Sequence, residues 1–235
     1  WNRTWGSDYS EECRGVAVDS SDNIYLVGYT ELSVGEWDVE RDIAVVKFDN
    51  SGELLWNSTW GTSSDNEWAH DIAIDSSGNI YISGITSPLN DSRKHIVLIK
   101  FNNIGEELWN ITYDIGTNIY QAKITVDSSD NVYLVRGGRL MKFDYSGTHL
   151  WNRTWVWSGH DYCKGITVDS YDNVYLTGYT RNNFTGYYVF LAKYNSSGDL
   201  KWSSIWGGSD LDVGYGVVVD SLDNIYVTGY TKSFQ

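Results

Sequence analysis

Short runs of apolar and polar residues alternate along this chain, and turn-forming residues separate them. The pattern is that of β-strands. Its best-marked run occurs five times: GVAVDSSDNIYLVGYT at 15–30, DIAIDSSGNIYISGIT at 71–86, KITVDSSDNVYLVRGG at 123–138, GITVDSYDNVYLTGYT at 165–180 and GVVVDSLDNIYVTGYT at 216–231. The central aspartates, Asp19, Asp75, Asp127, Asp169 and Asp220, follow one another at 56, 52, 42 and 51 residues. A period of that size with only strand patterning inside it predicts a ring or stack of small sheets.

Each period resolves into four strands. In the first full unit these are VAVD (A), NIYLVGYT (B), IAVVKFD (C) and LLWNSTW (D). Asp19-Ser-Ser-Asp-Asn23 joins A to B, because Asp, Ser and Asn side chains hydrogen-bond a turning backbone. Asp49-Asn-Ser-Gly52 joins C to D, with glycine supplying a positive φ. In strand D, Trp56, Ser58 and Trp60 share one face and Asn57 and Thr59 the other. The W-N-x-T-W/Y pattern recurs at 1–5, 109–113 and 151–155, and the copy at 202–206 reads WSSIW. These aromatic rings are expected to pack between neighbouring sheets. Gly28, Gly84, Gly178 and Gly229 sit mid-strand in B, which marks a close backbone approach. Four antiparallel strands per unit predict an all-β fold, a β-propeller of four-stranded blades.

Five A and B strands are visible but only four C strands: IAVVKF, IVLIKF, RLMKF and VFLAKY. The fifth blade therefore lacks its own strand C. WNRTWG at the N-terminus reads as a strand D without a partner. The expectation is one β-propeller domain over 1–235, excised from a longer protein and part of a larger propeller.

At this point the sequence resembles a known family. A-V-D-S-S-D/G-N-I-Y-x-x-G-Y-T followed by V-x-K-F-D-x-S-G-x-x-x-W is similar to the SBBP-type β-propeller repeat of secreted archaeal and bacterial proteins. The A–B half also resembles NHL repeats. Gly52-Glu-Leu-Leu-Trp56 resembles the docking glycine and tryptophan of quinoprotein-type blades. The resemblance covers nearly the whole chain. It implies an extracellular or envelope-associated scaffold and transfers no catalytic residue.

Composition narrows the function. Across 235 residues the net charge is −14, with no basic stripe, which argues against nucleic acid and anionic lipid surfaces. No apolar run is long enough to span a membrane. Cys13 and Cys163 occupy equivalent places in non-adjacent repeats and belong to no CxxC pair, so they are expected to be buried free thiols rather than a disulfide or a zinc site. His70, His95, His149 and His160 share no repeat position, and no HxH or HExxH, phosphate-loop, GxGxxG or GxSxG motif occurs. No cofactor is expected. The DSSDN segments read as turns. Calcium clamped between acidic D–A loops is the weaker alternative.

Loops between strands differ from repeat to repeat, and one face collects aromatics. Trp37, Trp68, Tyr120, Trp157, Tyr162 and Tyr215 are the candidate ligand-binding residues; Tyr9 and Tyr187 accompany them. The same loops hold Asp8, Glu11, Glu12, Glu36, Asp38, Asp65, Glu67, Asp161, Asp210 and Asp212. Rings beside carboxylates suit sugars. Paired carboxylates also serve glycoside hydrolysis, but no pair stands out. Seven N-x-S/T sequons mark Asn2, Asn57, Asn90, Asn110, Asn152, Asn183 and Asn195 as N-glycosylation candidates. The sequence thus predicts a non-enzymatic cell-surface or extracellular module for adhesion or assembly, with protein or glycan partners. The alternative is a glycan-binding or glycan-processing propeller acting through the loop face.

Overall fold

The computed structural model describes residues 1–33, 39–89, 93–114, 121–154, 161–182 and 186–233. Among them there is no helix, and the strands form antiparallel sheets whose spatial order follows the chain. The chain falls into two compact units, Trp1–Ala122 and Lys123–Gln235. The first holds two four-stranded sheets. One is β1 (Glu11–Val18), β2 (Ile24–Ser33), β3 (Val39–Phe48) and β4 (Leu54–Trp60). The other is β5 (Asp65–Ile74), β6 (Ile80–Pro88), β7 (His95–Phe101) and β8 (Glu107–Asp114).

The second unit holds β9 (Lys123–Val126), β10 (Val132–Arg136), β11 (Arg139–Phe143) and β12 (His149–Thr154), then β13 (Tyr162–Val168), β14 (Val174–Asn182), β15 (Gly186–Tyr194) and β16 (Leu200–Trp206). A fifth sheet has two strands only, β17 (Asp212–Val219) and β18 (Ile225–Thr231). These are propeller blades of the predicted A–B–C–D type, and among the described residues the fifth shows A and B.

The A–B turns close as their composition dictates. Asp19 Oδ1 accepts hydrogen bonds from the backbone of Ser21 (2.9 Å) and Asn23 (2.9 Å), and Asp75, Asp127, Asp169 and Asp220 repeat the arrangement. The fourth turn residue is left-handed: Asp22, Asp130, Asp172 and Asp223 have φ of 60–61°, and Gly78 replaces the aspartate at φ 80°. That backbone, which Asp and Gly tolerate better than most residues, explains the D/G choice. Asp172 and Asp223 then bridge to Ser128 and Ser170 in the preceding turn of the unit.

Strand A is longer than the alternation predicts. Its register with strand B slips at Arg14, His70, Lys164 and Tyr215, a β-bulge in four blades. A bulge inverts the in–out alternation, so residues beyond it read as loop in the sequence although they are strand. The mid-strand glycines make the bulge possible. A Cβ on Gly28 would stand 1.6 Å from the Glu12 carbonyl oxygen, and one on Gly178 would stand 1.9 Å from that of Tyr162.

Apolar packing joins neighbouring blades within each unit. In the first, Tyr25, Val27, Ile43 and Val45 of one sheet meet Ala69, Ile72, Ile80 and Ile82 of the next. Trp56 crosses to the following blade, where its Nε1 donates to the Asn103 carbonyl (3.1 Å) and its ring lies against Gly105. Trp1 does the same on Asn50 (3.1 Å) and Gly52, and Arg3 donates to the Gly52 carbonyl (2.9 Å), as Arg153 does to Gly198 (3.1 Å). The N-terminal WNRTW therefore makes a D strand's inter-blade contacts. It is not itself a strand, because no C strand pairs with it.

One further expectation changes. Both cysteines are free, as predicted, but only Cys163 is buried; Cys13 is exposed. Val16 and Val18 of its strand are likewise exposed (63% and 56%), whereas Ile72 and Ile124, which take the place of Val16 in the next two repeats, are buried.

We expect Gly178→Ala to lower stability by about 1–3 kcal/mol in urea denaturation, because the strand must part around the new methyl. Gly216→Ala, where the Cβ would meet only the Thr228 hydroxyl oxygen at 3.1 Å, should cost well under that.

Candidate functional site

The most regular side-chain constellation lies inside each complete blade. The lysine of strand C stands directly opposite a tyrosine of strand B: Lys47 and Tyr25, Lys100 and Tyr81, Lys142 and Tyr133, Lys193 and Tyr175. Each Nζ lies over the tyrosine ring, at 4.8, 4.6, 4.7 and 4.9 Å from its centre. It also reaches the turn aspartate, at 3.8 Å from Asp19, 3.4 Å from Asp75, 3.1 Å from Asp127 and 3.2 Å from Asp169. Lys47 and Lys142 add a bond to the next blade's C–D turn, at the carbonyls of Asn103 and Ser196 (3.3 Å each).

The cation thus clips its own A–B turn to the neighbouring blade. Burial would raise these aspartates. Hydrogen bonds from the side chain and backbone of the turn asparagine outweigh it, joined at Asp75, Asp127 and Asp169 by the lysine, and hold all four below the usual carboxylate range. Burial and the same aspartates push Tyr25 and Tyr133 far up, so both remain neutral phenols. In the sequence this lysine stands within the V-x-K-F-D stretch of the repeat. The signal was an ionisable residue set in an apolar strand four times over.

A second constellation lies at the outer end of strand A. Glu11, Glu67, Asp161 and Asp212 accept from the hydroxyls of Thr30, Thr86, Thr180 and Thr231 on strand B. Glu11 and Asp212 also hold the preceding loop through the backbone of Ser7 and Gly208 (2.9 Å each). These acids, expected to face a ligand, are turned inward to close the D–A loops.

Glu67 is fully buried, its Oε2 unpartnered, and Asp42 Oδ1 is buried without a partner too. Both oxygens lie within 3.0 Å of the point where a Gly61 Cβ would stand. Burial, reinforced by Asp65 and Asp42, raises Glu67 to about 7, and burial with Glu40 raises Asp42. Among the described residues no group of three or more His, Cys, Asp or Glu is arranged to hold a metal ion.

Of the candidate ligand-binding residues, Trp37, Tyr120 and Trp157 lie outside the described residues. The other three are on strands rather than loops, for the bulge reason given above. Trp68 is half-buried in a column of alternating cations and rings: Arg14 and Arg41 over Tyr29 (5.5 Å each), Arg41 and Lys94 over Trp68 (5.9 and 5.3 Å). Arg41 is fixed by Glu31 at 2.6 Å. Tyr162 stacks on Tyr179 at 4.8 Å, and Tyr179 meets Tyr187 edge-on at 5.3 Å. Tyr215 is the bulge residue of β17 and is exposed. The first two belong to different compact units, and each is engaged within its own.

Among the sequons, Asn90 and Asn183 lie outside the described residues. Asn57, Asn110 and Asn152 are exposed on the outer strands β4, β8 and β12, and Asn2 is exposed near the N-terminus. Asn195 is tied into its turn by Asp199 (2.8 Å).

Repeated four-stranded blades, each clipped by a lysine to its own A–B turn, define a β-propeller repeat protein. A family model described as SBBP, beta-propeller repeat, matches residues 6–31, 60–87, 158–185 and 201–234, and the chain is an SBBP-type repeat protein. The third repeat, with its short strands and Arg136-Gly137 in place of Gly-Tyr, is not among the matched segments. The fold is similar to the crystal structure of a protein of unknown function from Bacteroides caccae, at 12% identity and TM-score 0.61 over 94% of this chain and 72% of that one. It is also similar to a gluconolactonase from Xanthomonas campestris, at 14% identity and TM-score 0.54 over 92% and 69%. At such identities the likeness is one of fold. No curated protein matches the chain.

Two outcomes are expected. Lys142→Met leaves the buried Asp127 carboxylate without its cation and should cost about 3–5 kcal/mol, while Lys142→Met with Asp127→Asn should cost less than the two single changes together; a double-mutant cycle in urea measures this. Glu67, raised when folded, contributes stability that is full below pH 4.5 and lost as pH rises through about 7. The loss is on the order of 3 kcal/mol. Denaturation midpoints between pH 5 and 8 should fall for the parent and flatten in Glu67→Gln.

Proposed function

We propose that this chain is a non-enzymatic binding module that joins larger assemblies at the cell surface or in the cell envelope, with protein or glycan partners. A propeller fold supports a binding or scaffold role. The observation that carries the reading is the commitment of the strand-A acids, Glu11, Glu67, Asp161 and Asp212, each of which accepts from a threonine hydroxyl of strand B. The acids that could have served catalysis are hydrogen-bonded to threonines and loop backbone instead. The surface location is supported by the SBBP resemblance and by sequons on exposed outer strands. A glycan on Asn57 or Asn152 would meet solvent and would shield a sheet edge.

A second reading, glycan binding or processing, draws on the Arg41–Trp68–Lys94 column, a half-buried aromatic between two cations that suits an acidic sugar. The purified chain, assayed on sugar lactones and on polysaccharides, should turn over nothing above buffer. Turnover that disappears in a folded Trp68→Ala variant overturns the first reading in favour of the second. Intact mass of material secreted from its native host should exceed the sequence mass by whole hexose units, and an unmodified mass removes the glycoprotein part.

A further inference from the structure

Two buried carboxyl oxygens in the first compact unit have no partner, and they stand at one place. Glu67 of β5 is fully buried. Its Oε1 accepts from Thr86 Oγ1 (3.2 Å), with Thr62 Oγ1 at 3.5 Å, and its Oε2 is orphaned. Asp42 of β3 is orphaned at Oδ1. Both orphans lie within 3.0 Å of the point where a Gly61 Cβ would stand, so the bare Cα of Gly61 leaves room for them.

The charges around this pair are acidic. Glu40 bears on Asp42 along β3, and Asp65 bears on Glu67 along β5. Among the described residues no lysine, arginine or histidine lies within ion-pair distance of Asp42, Asp65 or Glu67. The cations of the neighbouring strands are committed elsewhere. Arg41 goes to Glu31 of β2 (2.6 Å), and Lys94 lies over the Trp68 ring (5.3 Å). His95 of β7, opposite Thr86, lies beside Asp114 of β8 (4.0 Å). His70 of β5 accepts from the Ala122 backbone (3.2 Å). On β1, Arg14 pairs with Glu12 (3.0 Å), and Glu11 reaches Thr30, the residue opposite Asp42.

Two carboxylates this confined cannot both stay ionised without a counter-charge. A hard cation such as calcium takes about six to eight oxygen ligands. Among the described residues no group of three or more acids is arranged for one. Here one oxygen of each carboxyl is left over. A single proton needs two oxygens, one to carry it and one to accept it. Burial, reinforced by Asp65 and Asp42, raises Glu67 to about 7, and burial with Glu40 raises Asp42, so the pair holds a proton close to neutrality.

We propose that Glu67 and Asp42 share one proton, Glu67 Oε2 donating to Asp42 Oδ1, and that this proton latches strand C of the first blade to strand A of the second. The inference goes beyond the binding-module reading and does not depend on it. With the proton in place both orphaned oxygens are satisfied. With the proton lost, two carboxylates at one place repel. Asp42, the less buried of the two, then turns to water, and β3 loosens from β5 beside Arg41 and Trp68. The bond from the Arg41 amide to Asn66 Oδ1 (2.9 Å) crosses the same seam and loosens with it. The latch is closed in mild acid and opens as pH rises through the upper titration step of the pair.

The test titrates the whole, isotope-labelled chain from about pH 4 to about pH 9 and follows side-chain carboxyl carbons and backbone amides by NMR. The expected result is one upper step seen at both Glu67 and Asp42 and repeated by the amides of Gly61 and Arg41. In Asp42→Asn the new amide donates to Glu67 without carrying charge, so the Glu67 midpoint should fall by about one pH unit or more. Glu67→Gln should lower the Asp42 midpoint in the same way, which keeps the coupling readable if one variant folds poorly. Unmoved amides of β7 confirm the fold. A Glu67 midpoint that Asp42→Asn leaves unchanged overturns the proposal, because burial alone then raises Glu67. So does an Asp42 that titrates as an ordinary carboxyl in the parent chain. Calcium chloride at about millimolar concentration that saturably displaces both midpoints to lower pH also overturns it, because a cation then holds the pair.

Discussion

The structure depends on a buried charge that touches three elements at once. A lysine in the middle of an apolar strand is costly unless its ammonium is paired, and here it is paired in the same way in four blades. It neutralises the aspartate that shapes the A–B turn. It lies on the tyrosine that fills the blade's centre. In Lys47 and Lys142 it also reaches a carbonyl of the next blade's C–D turn. Backbone geometry, packing and blade-to-blade docking are therefore coupled through one ammonium group. An apolar residue there would pack as well but would fix neither the register nor the neighbour.

The acids at the outer end of strand A play a comparable part. Glu11, Glu67, Asp161 and Asp212 hold threonines and, at Glu11 and Asp212, loop backbone, so negative charge that looks available in the sequence is already committed. Glu67 is the exception in degree. Its burial beside Asp42 makes the protonated form the comfortable one near neutrality. Among the described residues, Val16 and Val18 of the first blade and Tyr226 of the fifth sheet are exposed.

Much of this was legible beforehand. Five copies of one segment announced blades, and the turn residues announced which strands pair. The Asp-to-Gly exchange at residue 78 took its meaning only from the structure, where that position is left-handed. The mid-strand glycines signalled a close approach. What they approach was hidden, because a bulge breaks the alternation by which strands are recognised. Trp68, Tyr162 and Tyr215 were accordingly read as loop residues and are strand residues.

Local chemistry written in the sequence thus determined strand order, turn type, the number of C strands and the Trp–Gly docking between blades, since each rests on residues close in the chain or on a repeated pattern. Only the tertiary structure decided which polar groups meet. Lys142 and Asp127 lie in different strands, and whether an acid faces solvent or a threonine depends on a bulge that no period reveals. Burial is likewise a property of neighbours: Tyr25 and Tyr226 have the same local sequence, yet one is enclosed and the other open because only one has strand C beside it.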